Sequence, residues 1–111
     1  MRIEIKGRNT TVTDAIRQHV AERFERVSRQ VSEPADLEVE LMEERNPAIA
    51  DGKIAEATLH LKGTTLRAKE ASPDLTHSVD LCAEKITRQV KRRLDKQRRS
   101  RRESSTRQPA A

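Results

Sequence analysis

Residues 55–69, Ala-Glu-Ala-Thr-Leu-His-Leu-Lys-Gly-Thr-Thr-Leu-Arg-Ala-Lys, decide the fold. Ala55, Ala57, Leu59 and Leu61 alternate with Glu56, Thr58, His60 and Lys62, the period of a strand with one buried face. Lys62, Gly63 and Thr64 form a turn by position, and Leu66 and Ala68 resume the alternation opposite Arg67 and Lys69. A hairpin that is apolar on one side and wet on the other must be covered on the apolar side. The rest of the chain is read as what extends and covers it.

Downstream, Ser72, Pro73 and Asp74 read as N-cap, first-turn proline and an acidic residue at the positive end of a helix dipole. Leu75, Val79, Cys82, Ile86, Val90 and Leu94 then recur every three or four residues, a single stripe to lie on the sheet. Upstream, Leu37, Val39 and Leu41 alternate with Asp36, Glu38 and Glu40 as a further strand, joined to the hairpin by a loop marked by Asn46, Pro47, Asp51 and Gly52. Ile3 and Ile5 alternate with Arg2, Glu4 and Lys6, in a strand that Gly7 is expected to end. Between these two strands Thr13 caps a helix that opens on Asp14, carries Ile16, Val20, Phe24, Val27 and Val31, and runs to about Arg29, short of Pro34. The expected fold is α+β, in the order β-α-β-β-β-α, with two helices on one face of a four-stranded, mainly antiparallel sheet. It occupies residues 1–97, and residues 98–111, with Ser100, Arg101, Arg102, Ser104, Ser105 and Pro109, are expected to be a basic disordered tail or the start of a linker.

A chain of 111 residues with 33% hydrophobic and 37% charged residues suits one small domain with a modest core. No apolar run approaches the roughly 20 residues of a membrane span, and the N-terminus alternates like a strand instead of reading as a signal peptide. A soluble, cytoplasmic protein is expected. The lone cysteine, Cys82, lies in the apolar stripe and is expected to be a buried, inert thiol.

Charge is sharply segregated. Residues 85–111 hold 11 Lys plus Arg against 2 Asp plus Glu, a net of +9, whereas residues 1–84 hold 12 against 16, a net of −4. On the last helix Lys85, Arg88, Arg92 and Arg99 keep to one edge, with Lys91 and Lys96 flanking, and only Asp95 interrupts the basic run from Lys85 to Arg102. Such a one-signed run repels itself and calls for a counter-charge, so the partner is a polyanion. The first helix carries a second stripe, Arg23, Arg26 and Arg29, although Arg26 and Arg29 also suit a helix C-terminus. With no Trp, no Tyr and Phe24 committed to the core, base stacking on aromatic rings is not available, which disfavours single-stranded nucleic acid. Basic helices beside an unadorned sheet suit the phosphates of folded, double-helical RNA. A membrane surface is disfavoured, because the apolar stripe opposite the basic face is already needed by the sheet.

No catalytic, metal or cofactor site is expected. His77, Ser78 and Asp80 lie too close on one helix to act as nucleophile, base and orienter. His19, His60 and His77 have no metal-ligand spacing, and the three glycines form no phosphate-binding pattern.

Gly7, Arg8 and Asn9, then Thr13 to Arg17, Ala57 to His60, Lys62-Gly63, and Asp74 to Asp80 leading into Lys85 to Lys91 together resemble the bacterial ribosome hibernation promoting factor and ribosome-associated inhibitor A family, over residues 1 to about 96. The resemblance implies a fold related to double-stranded-RNA-binding domains. It implies a stress or stationary-phase factor that binds the small ribosomal subunit and the intact ribosome where mRNA and tRNA pass, and stops translation by occlusion. By the same resemblance, rRNA phosphates would be met by Arg23, Arg26, Arg29, Lys85, Arg88 and Arg92, to which the basic edge of the last helix adds Lys91 and Lys96. The basic tail stands where the inhibitor-A type has an acidic one, and the chain reads as a short form or as the first domain of a long one, a monomer in isolation. The alternative is a general double-stranded RNA-binding module or RNA chaperone with no ribosomal address.

Overall fold

The computed structural model describes residues 1–32 and 34–106, the last five as helical backbone. Strand β1 (Arg2–Arg8) is followed by helices α1 (Asp14–Arg23) and α2 (Glu25–Gln30), strands β2 (Asp36–Glu43), β3 (Lys53–Leu61) and β4 (Thr64–Ser72), and the long helix α3 (Leu75–Thr106). The sheet order is β1-β2-β3-β4. β2, β3 and β4 form an antiparallel meander, and β1 joins β2 in parallel, from Arg2 opposite Asp36 to Arg8 opposite Met42. A parallel neighbour needs a crossover, and α1 and α2 supply it.

One face of the sheet makes the core. Leu37, Val39, Leu41, Ala55, Ala57, Leu59 and Leu61 are buried against Val79, Cys82, Ala83, Ile86 and Val90 of α3, with Ile16, Val20, Phe24 and Val27 closing the assembly from α1 and α2. α3 packs on β3 and β4, where Ala57 stands opposite Ala68. These small side chains let the helix come close enough for the Cys82 thiol to donate to the Ala68 carbonyl at 3.3 Å. Burial pushes that thiol up to about 12, so it stays protonated and unreactive at physiological pH. The other face, with Glu38, His60, Arg67 and Lys69 exposed, carries no helix among the described residues.

Several local expectations are corrected. Gly7 does not end β1; it pairs with Leu41 inside the strand, and a Cβ there would stand 2.6 Å from the Thr10 carbonyl oxygen and 2.9 Å from Val12 Cγ2. Glycine is required because the chain folds back over it. The first helix breaks at Phe24 (φ −92, ψ 1), although Phe24 N–H still reaches Val20 O and Ser28 N–H reaches Phe24 O. The bend falls at the protein's one aromatic side chain, wholly buried, where the largest group has to be fitted into the core.

Ser72 does not cap α3. It ends β4, and Asp74 caps instead, its carboxylate accepting from Thr76 N–H at 3.3 Å and its carbonyl from Ser78 N–H at 3.0 Å. The Ser72 hydroxyl is engaged elsewhere: it accepts from Asp74 N–H and lies 2.7 Å from the buried Ser78 hydroxyl, which donates to the Lys53 carbonyl at 2.6 Å. This relay ties the start of α3 to the ends of β4 and β3. Thr13 caps α1 as expected, accepting from Ile16 N–H at 3.2 Å. Finally, α3 continues past residue 97 to Thr106, where a disordered tail was expected. Arg, Lys and Gln are good helix formers, and adding residues to an existing helix avoids the cost of nucleation. Residues 107–111 of that expected tail, with Pro109, lie outside the described residues.

Gly7→Ala should lower stability by about 1–3 kcal/mol, from the overpacking it forces, whereas Gly52→Ala, whose Cβ would meet only ordinary contacts beyond 3.3 Å, should change it little. Urea denaturation of the two variants checks this. A thiol reagent at pH 8 should leave Cys82 unmodified until denaturant unfolds the chain, as monitored by the absorbance of the released chromophore.

Candidate nucleic-acid interface

The helix pair α1–α2 and α3 lie side by side over the core, leaving an open groove of about 830 Å³ between them. Arg23 and Arg26 rise from one wall, Arg88 and Lys91 from the other, with His77 and Thr87 between. The spacing explains the arrangement. Positions 84, 87, 88 and 91 share one flank of α3, and positions 22, 23 and 26 share the facing side of the helix pair. Two stripes far apart in sequence are therefore brought into one electropositive channel.

Ion pairs sort these cations by how freely they can meet a ligand. Asp80 of α3 receives His19 Nε2 at 2.7 Å and Arg23 Nε at 2.9 Å, pinning α1 to α3 at one end of the groove. Arg29 folds onto Glu25 at 2.7 Å, Lys85 onto Glu70 of β4, and Arg88 lies 3.9 Å from Glu84. Arg26, Lys91, Arg92 and Lys96 are exposed and have no ion-pair partner among the described residues.

The eight cations chosen from the sequence thus do not form one surface. Arg23, Arg26, Arg88 and Lys91 share the groove, Arg92 and Lys96 stand on the opposite flank of α3 near the β3–β4 turn, and Lys85 faces the β4 edge. Arg29 does not line the groove, which Gln30 does. Asp80 was missed as a positioning residue. Helical spacing alone does not tell that its side chain crosses to α1, since that contact joins residues 61 positions apart. Ser78, its neighbour in the dismissed catalytic set, is committed to the buried relay, and no group of His, Cys, Asp and Glu able to hold a metal is found among the described residues. No helix among the described residues is long and apolar enough to cross a membrane.

Residues 3–98 match the family model for the Sigma 54 modulation protein / S30EA ribosomal protein. The chain is 34% identical over 97 residues to a ribosome hibernation promotion factor from a Picosynechococcus species, an alignment covering 86% of this chain and 50% of that one. It is 38% identical over 94 residues to the ribosome hibernation promotion factor of Staphylococcus aureus, covering 83% and 47% respectively. The chain therefore spans about half the length of these relatives. Among solved structures, the N-terminal domain of Protein Y from Thermus thermophilus superposes with a TM-score of 0.71 at 31% identity, covering 83% of this chain and 98% of that one. A ribosomal subunit interface protein from Coxiella burnetii shares the fold, with a TM-score of 0.72 at 21% identity, covering 86% and 99%.

Asp80→Asn should lower stability by about 1 kcal/mol at low salt, because two partly exposed partners lose a charge-assisted hydrogen bond. The deficit should shrink in 1 M NaCl, as measured by denaturation at both ionic strengths.

Proposed function

The chain belongs to the Sigma 54 modulation protein / S30EA ribosomal protein family, and from that membership and the basic groove we propose that it is a ribosome hibernation factor. In this reading the domain seats as a monomer on the small subunit, alone or within the intact ribosome, in the channel that mRNA and tRNA would occupy. It stops translation under stress or in stationary phase by occupying that space, with no chemical step.

The observation that carries the reading is the facing of Arg23 and Arg26 with Arg88 and Lys91 across one groove. Cations on both walls suit the phosphates of folded RNA, which positions a protein without reading sequence. The absence of Trp and Tyr from the chain fits a mode that depends on backbone shape instead of stacked bases. Arg26 and Lys91, which make no ion pair among the described residues, contribute most per residue. Arg23, Arg29, Lys85 and Arg88 must first exchange a carboxylate for a phosphate, and contribute less.

In a cell-free translation system the purified protein should inhibit when added first, and mRNA with initiator tRNA added beforehand should protect. Inhibition indifferent to that order would count against occlusion. Equal affinity for the ribosome and for an unrelated RNA duplex would favour a general double-stranded RNA-binding module.

Replacing Arg26 and Lys91 together by Gln should weaken cosedimentation with ribosomes and flatten the plot of log affinity against log salt by about 1.4–1.8, at roughly 0.7–0.9 per lost phosphate contact. Both side chains point to solvent, so stability should change by no more than about 0.5 kcal/mol.

A further inference from the structure

We propose that the open face of the sheet docks a basic protein segment, seating Lys or Arg side chains among Glu38, Glu40 and Glu56 and an apolar one against Met42 and Ile54. This rests on the ribosome-binding reading and deepens it: the helices meet RNA, and the partner on the opposite side of the domain is a protein.

The strand register lays this face out. Glu38 and Glu40 of β2 and Glu56 of β3 alternate with core residues, so they share the side of the sheet that no helix covers among the described residues. Their cross-strand neighbours make an acidic band, because Glu40 stands opposite Glu56, and Glu4 of β1 stands opposite Glu38. Like charges directly opposite each other destabilise a sheet, and a merely solvated face gains nothing from pairing them. Glu40 and Glu56 are half-buried, where solvent screens them less.

The cations of the same face stand on the outer strands, Lys6 and Arg8 on β1, Arg67 and Lys69 on β4. They neutralise the band only in part. Glu40 lies 3.1 Å from Arg8 Nε, Glu4 3.7 Å from Lys6 Nζ and Glu38 3.6 Å from His60 Nε2. Glu56 makes no ion pair among the described residues, although Lys69 faces it in the register. At the end of the band Met42 stands opposite Ile54, and Ile54 opposite Ala71, an apolar step beside the carboxylates.

The chemistry of the partner follows from this pattern. Phosphate is repelled by the band, and the cations that suit RNA lie across the core on the helix layer. Lys and Arg fit, since their methylene stems can lie on Met42 and Ile54 while their charged ends reach the carboxylates. A short segment with two such side chains and one apolar residue matches both the band and the step. A ribosome offers RNA to one side of the domain and basic proteins to the other.

A photoreactive aryl azide tethered to His60→Cys on the open face, or to His77→Cys in the interhelical groove, reports what each side meets on the bound ribosome. Cys82 is buried and protonated, so labelling is confined to the introduced thiol. The His60 probe should cross-link a protein at a Lys- or Arg-rich peptide, identified by mass spectrometry, and the His77 probe should cross-link rRNA. Glu38→Gln combined with Glu56→Gln should lower ribosome affinity about 2- to 25-fold, the range of two exposed ion pairs, while affinity for a free RNA duplex stays equal or rises. The sign decides, because a surface that faced RNA would bind more tightly after losing two negative charges.

Ribosome affinity unchanged or raised in the double variant would overturn the docking face and leave the ribosome-binding reading standing. So would cross-links from the His60 probe to rRNA alone, to a second copy of this chain, or to nothing. Failure of the unsubstituted protein to sediment with ribosomes would overturn both.

Discussion

The packing of α3 on the small residues of β3 and β4 is the constraint on which everything else depends. Ala57 and Ala68 stand opposite each other beneath the helix, and Cys82 reaches a strand carbonyl from above. Larger side chains at those positions would lift the helix, open the relay through Ser72 and Ser78, and move every cation on its outer surface. The position of α3 also defines the interhelical groove, since α1 and α2 lean on α3 and their bend at Phe24 drives the largest side chain of the core beneath it. Apolar packing thus positions a polar surface with which it shares no atom.

The electrostatics follow the same division. Asp80, Glu25, Glu70 and Glu84 neutralise some of the basic side chains and leave others without an ion-pair partner among the described residues. An exposed ion pair contributes little to stability. These pairs act more as orientation devices, holding long side chains in place and limiting the self-repulsion of a strongly basic helix. Asp80 is the clearest case, because it serves His19 and Arg23 together and joins elements that meet only in the folded protein.

Most of the fold is legible in the sequence because the period-two and period-3.6 patterns are uninterrupted where one face is buried. The hairpin around Gly63, the cap at Thr13 and the stripe from Leu75 to Leu94 all lie where their patterns place them. What was not legible depends on close approach in space. Gly7 looks like a strand breaker because sequence does not show Thr10 folding over it, and Ser72 looks like a cap because the relay to Lys53 is absent from any local pattern. The basic stripes were legible as stripes. Their division between two sides of α3 was not, because that depends on which helix edge faces α1 and which faces β4.

The parallel pairing of β1 with β2 has a consequence for how the chain acquires its structure during synthesis. The first strand to leave the ribosome has no neighbour until β2 follows it, more than thirty residues later, and β2 completes its own pairing only through the meander. The apolar face then stays only partly covered until α3 emerges, because the stripe that completes the cover runs to Leu94. Non-local pairing is slow to reward the entropy spent on it, and an uncovered sheet face is an aggregation hazard. Vectorial emergence therefore delays native burial until nearly the whole domain has been made, and the most strongly charged segment of the chain is also the one whose arrival closes the core.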